Sequence, residues 1–171
     1  LVVTPDGSTL YVANGSDNKI YKINTAANTA TAFATSLTGS PRGLSFDNSG
    51  NLLVRDSSGL TYQVTLAGVV TTLNSSIQYA NGQAIQLADG TYLSLDNSGS
   101  IYGDTITRIS PNKSVVVGGG GAAGAIGLGA AAGFADIRSI VEAPNGFIYV
   151  SDFGATQNKI RVGKPTPSLL N

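Results

Sequence analysis

The chain of 171 residues contains no cysteine, histidine, methionine or tryptophan, and only 12% of its residues are charged. Without cysteine there is no disulfide framework, thiol nucleophile, zinc–thiolate centre or iron–sulfur cluster. Without histidine there is no Ser–His–Asp triad and no imidazole metal ligand. Ten basic residues balance ten acidic ones. A neutral chain lacks the cationic excess that displaces counterions from nucleic acids or anionic bilayers, so neither is an expected partner. No run of about 18 apolar residues is present to span a membrane as a helix. Glutamate occurs once, as Glu142, whereas general acid–base chemistry needs two groups held at different pKa values. No catalytic residue, metal site or cofactor is expected.

What is present is 42% hydrophobic residues, 22 glycines and many serines, threonines and asparagines. Neutral polar side chains replace charge at the surface, and such a surface repels its own copies weakly. The length suits one domain covering residues 1–171. The sequence opens at Leu1 with no methionine and no signal-peptide pattern, which fits a processed, excised or partly represented chain.

Self-similarity dominates the sequence. Four segments share a glycine turn, an apolar run, an Asx residue, a polar gap and a second apolar run. They are Thr4–Asn14 with Lys19–Ile23, Asp47–Asp56 with Leu60–Val64, Ala88–Asp96 with Thr105–Ile109, and Ala143–Asp152 with Lys159–Val162. The turn glycines Gly7, Gly50, Gly90 and Gly146 lie 43, 40 and 56 residues apart, and a glycine–alanine stretch lengthens the last interval. A period of ~40–45 residues with strand-like runs is that of a propeller blade. Asp-Gly at 6–7 and 89–90 and Asn-Gly at 145–146 accept the positive φ of tight hairpins. In the second blade, strands are predicted at Arg42–Phe46, Leu52–Arg55, Thr61–Thr65 and Val69–Leu73. The expected fold is all-β, a β-propeller of about four blades of four-stranded antiparallel sheet. The blades fall approximately at 1–35, 40–76, 81–118 and 134–171, with a Gly/Ala-rich loop at 118–133.

The run Val3-Thr4-Pro5-Asp6-Gly7 through Leu10-Tyr11-Val12-Ala13-Asn14 resembles the YVTN repeats of prokaryotic surface-layer propellers. Pro41-Arg42-Gly43-Leu44 leading to Asp56, and Ile148–Asp152 leading to Lys159-Ile160-Arg161, resemble NHL repeats. Those families have six or seven blades. Four blades leave three ways to finish the ring: a compact four-bladed closure, a larger ring shared with another chain, or strand exchange between neighbours.

Asn14, Asp56, Asp96 and Asp152 recur at the end of the second strand of each repeat. Recurrence favours a structural role, with each Asx side chain bonding nearby backbone N–H groups and fixing the turn, over a ring of metal ligands. Aligning Pro5 with Pro144 places Glu142 and Gln86 in the innermost strands, where Val3 and Phe46 sit, as candidates to line the channel. Asp47–Asn51 and Asp96–Ser100 have too few carboxylates for calcium and read as hairpin turns. Gly118–Gly121 lacks the Gly-Lys-Ser/Thr of a phosphate loop. Asn14, Asn74 and Asn112 fit the Asn-x-Ser/Thr acceptor pattern, and Thr166 and Ser168 lie among prolines as O-linked candidates.

The resemblance, scarce charge and absent cysteine point to a non-catalytic propeller module outside the cell or on its surface, secreted by a prokaryote. Its expected partner is itself, as a homo-oligomer or polymer joined through the terminal strands in a surface layer or fibre. The alternatives are a propeller enzyme resembling sugar lactonases or lyases, and a binder of a glycan or peptide at the channel mouth.

Overall fold

The structure is a computed structural model that describes residues 1–73, 82–97, 104–109, 115–121, 129–154 and 158–164. It is built from four antiparallel sheets in chain order, each a meander. The first contains β1 (Val2–Val3), β2 (Thr9–Asn14), β3 (Lys19–Asn24) and β4 (Thr29–Ala34). The second contains β5 (Pro41–Phe46), β6 (Leu52–Asp56), β7 (Thr61–Val64) and β8 (Val70–Thr72). The third contains β9 (Ala84–Gln86), β10 (Tyr92–Asp96), β11 (Thr105–Ile109) and β12 (Val115–Gly119). The fourth contains β13 (Ile137–Glu142), β14 (Ile148–Phe153) and β15 (Asn158–Gly163), three strands among the described residues. The predicted ends of the second blade's strands move by no more than one residue.

The same turn opens every blade. Gly7, Gly50, Gly90 and Gly146 have φ of 72°, 79°, 90° and 75°, left-handed values that a Cβ would oppose. Their N–H groups donate to Thr4, Asp47, Leu87 and Ala143 carbonyls at 2.8–3.0 Å. A hairpin then forces β1 against β2, β5 against β6 and so on, and local connections set the order of strands.

The first strands of successive sheets approach one another: β1 meets β5, β5 meets β9, and β9 meets β13. That places them innermost around a common axis, the arrangement of propeller blades. Side chains alternate, so each second strand serves two seams at once. Leu52 and Val54 of β6 join Tyr11, Ile20, Leu44, Tyr62 and Val64 in a core between the first and second blades. Leu93 and Leu95 join Ile85, Ile106, Ile137, Ile140, Ile148 and Val150 in a second core between the third and fourth. Each such buried side chain contributes ~1.5–3 kcal/mol.

β12 runs through Gly118 and Gly119, into the stretch read as a loop from its glycines. A Cβ on Gly119 would collide with the Asp104 carbonyl, so glycine is what lets the strand approach. Gly129–Ala131 form a short 3-10 turn beyond it. Among the described residues, no helix is long and apolar enough to cross a membrane.

Candidate functional site

Two kinds of site emerge: the polar contacts that lock blade to blade near the axis, and the faces left open on the first and fourth blades. Glu142 ends β13, and its Oε2 accepts a hydrogen bond from Ala88 N–H, in the turn of the preceding blade, at 2.7 Å. Gln86 ends β9 and does the same one seam earlier, its Oε1 accepting from Asn48 N–H at 2.9 Å. The Asn48 side chain returns a bond to the Leu87 carbonyl at 2.8 Å. The two residues therefore occupy equivalent positions and tie an innermost strand to its neighbour's turn.

The four recurrent Asx residues make different contacts. Asn14 accepts from Ser16 N–H at 3.1 Å. Asp56, fully buried, accepts from Ser58 and Leu60 N–H at 2.9 Å each and from the Tyr62 hydroxyl at 2.9 Å. Asp152 reaches backward, accepting from Ala135 and Asp136 N–H at 2.9 and 3.2 Å and from Arg161 Nε at 3.1 Å. Asp96 crosses a seam instead: its Oδ1 lies 2.6 Å from an Arg55 guanidinium nitrogen.

This ion pair is the polar heart of the seam between the second and third blades. Arg55 and Asp96 are both buried. Arg55 also donates to the Gly59 carbonyl at 3.0 Å and to Thr61 Oγ1 at 3.2 Å, while the Thr107 hydroxyl donates to Asp96. Burial pushes the Asp96 carboxyl up, against the opposing pull of Thr107 and Arg55, and pushes the Arg55 guanidinium down. Low dielectric penalises each charged form and makes each dependent on its partner. Asp47 behaves oppositely. Burial raises it, but bonds from Asn51, Gln63 and the Ser49 and Asn51 N–H groups more than offset this and hold it below the ordinary carboxylate range.

Sequence reasoning singled out neither Arg55 nor a third set, Asn97 and Asp104, which fasten the fourth blade. Asn97 Nδ2 donates to the Ile137 carbonyl at 3.2 Å, and Asp104 accepts from Ile137 N–H at 2.7 Å. The available signal was an arginine inside the apolar run Leu52–Asp56 and an aspartate one repeat later. Asn74, Asn112, Thr166 and Ser168 lie outside the described residues. Among the described residues, no group of three or more acidic side chains converges as a metal site.

The outward face of the fourth blade is apolar and open. Val141, Tyr149 and Val162 are cross-strand neighbours in one row. Val141, Phe153, Ile160 and Val162 are 55–66% exposed. The first blade shows a matching row, Val3, Leu10 and Ile23, with Val3 at 51% and Leu1 at 77% exposed. Among the described residues, no core cluster joins the fourth blade to the first.

No family profile matches the chain, and no curated protein matches it in sequence. Solved structures do. A streptogramin B lyase superposes with a TM-score of 0.64 at 16% identity, over 98% of this chain and 54% of that one. A gluconolactonase from Xanthomonas campestris gives 0.64 at 13% identity, over 90% and 53%. The WD40 propeller domain of Doa1 gives 0.64 at 16% identity, over 99% and 51%. The chain spans about half the length of these structures. Their likeness, together with the four successive blades, makes this chain a β-propeller.

Proposed function

We propose that the chain is a non-catalytic structural module that works outside the cell, associating with its own copies through its terminal blades as a unit of a surface layer or fibre. The observation that carries the reading is the pair of open apolar faces on the first and fourth blades. Large exposed apolar patches mark surfaces that meet another protein. The low charge of the sequence and its resemblance to the YVTN repeats of surface-layer propellers support the same reading.

The propellers it superposes on include a lyase, a gluconolactonase and a WD40 domain, so fold does not choose between enzyme and scaffold. The acids favour the scaffold. Glu142, Asp47, Asp56 and Asp152 hold backbone N–H groups, and Asp96 holds Arg55. Each already has a structural task.

Sedimentation velocity over a hundredfold range of protein concentration tests the reading. The expected result is mass growing with concentration above the 17.3 kDa of one chain. A species fixed at one chain refutes it. Antibody labelling of intact source cells tests the location, with signal only after permeabilisation counting against it.

A further inference from the structure

We infer that the seam between the second and third blades is a polar hinge, at which the chain parts into two blade pairs before either apolar core is breached.

The two cores set the boundary. One joins the first and second blades, from Tyr11 and Ile20 to Leu52, Val54 and Val64. The other joins the third and fourth, from Ile85 and Leu93 to Ile140 and Val150. Among the described residues, neither crosses the middle seam. Leu53, Ala84 and Ile109 are buried but belong to neither core. Alternation along β6 explains the division: Leu52 and Val54 point to the first blade, while Leu53 and Arg55 point to the third.

What fills the middle seam is polar. Ser45, Arg55, Thr61, Ser94, Asp96 and Thr107 are all buried there. Arg55 bonds Asp96 and donates to Thr61, and Thr107 donates to Asp96. Ser45 Oγ donates to the Ala84 carbonyl at 2.6 Å, and Gln83 Nε2 donates to the Leu44 carbonyl at 3.3 Å. Nearer the turns, Asn48 N–H donates to Gln86 Oε1 and Asn48 Nδ2 to the Leu87 carbonyl. The outer seams also carry polar clasps, such as Ser40 Oγ to the Gly15 carbonyl and Ala88 N–H to Glu142, but each has a core behind them.

The two kinds of seam differ in what opening costs. Parting an apolar seam exposes hydrocarbon to water, and the penalty grows with the area uncovered. Parting a polar one exchanges each protein hydrogen bond for bonds to water, and the net loss per bond is small. The ion pair behaves likewise, because entering water restores to both charges the hydration that burial removed. Gly43 and Gly82 lack side chains where the innermost strands approach, so backbone rather than interlocking side chains meets at the axis. The middle seam is therefore the least costly place to open, and the two cores hold the blades on either side together as they move.

The chain has no cysteine, so single introduced thiols report each seam separately. Leu53, Val54 and Leu95 are fully buried, on the second–third, first–second and third–fourth seams in turn. In L53C, V54C and L95C chains with intact strand circular dichroism, a thiol reagent reaches the cysteine only when its seam opens. With each rate corrected for global stability, L53C should label roughly tenfold faster or more than the other two, the factor that even one further buried apolar side chain imposes. Adding R55M/D96L, which makes the middle seam apolar, should slow L53C towards the V54C rate. In the unmodified chain, strand amides of the first two blades and of the last two should exchange as two separate units in low denaturant. Equal labelling of the three cysteines overturns the hinge, as does faster labelling of V54C or L95C. So does an L53C rate that a folded R55M/D96L chain leaves unchanged, or amide exchange from a single shared unit.

Discussion

Arg55 and Asp96 sit in the one seam where the second strands do not meet through apolar residues on both sides. The equivalent positions opposite the recurrent Asx are Ala13 facing Asp56, Arg55 facing Asp96 and Leu95 facing Asp152. Only the middle seam offers a cation from the neighbouring blade, which is why one residue of a repeated set pairs across a seam while Asp56 and Asp152 turn to groups of their own blades. No reading of a single repeat could reveal this, because the partner lies one blade away. Removing one member leaves the other charged and buried, at a cost of ~3–5 kcal/mol. R55A and D96A are each expected to lose that much unfolding free energy in urea, while R55M/D96L recovers most of it. Single variants within ~0.5 kcal/mol of the parent would show that the seam relaxes around the lone charge.

At the scale of the element, hairpins were legible because their chemistry is local. Asp-Gly and Asn-Gly mark turns whose glycines have the positive φ such turns require. The end of β12 was not, because a glycine run reads as a loop until the close approach of Asp104 is known. The innermost strands were legible in position but not in contact. Their spacing follows from another glycine: a Cβ on Gly43 would stand 2.6 Å from the Gly82 carbonyl oxygen and 2.7 Å from Gln83 Cα, both backbone atoms of the next blade. G43A is expected to lower stability by ~1–3 kcal/mol, since backbone cannot swing aside as a side-chain end would. G163A, where a Cβ meets nothing within 4 Å, is the control and should stay within ~0.5 kcal/mol. Equal thermal midpoints for the two variants would mean that the blades are free to slide apart.

For the whole molecule, the sequence counted the blades but left three ways of completing the ring, because closure depends on which faces stay bare after folding. Val141, Phe153, Ile160 and Val162 on one end, and Leu1 and Val3 on the other, are exposed apolar side chains, with the Lys19–Asp17 ion pair beside them on the first blade. If these faces meet between copies, association is linked to stability, since the paired state binds folded chains only. A tenfold rise in concentration adds about 1.4 kcal/mol to each pair, or ~2 °C in Tm for a unit of this size. Calorimetry from micromolar to hundreds of micromolar chain should show that slope. Raising sodium chloride should move the whole line little, because the faces are mainly apolar, and sulfate should raise it without changing its slope by favouring apolar burial. A Tm independent of concentration would mean that folding draws nothing from a neighbour, and the bare faces would then need another occupant.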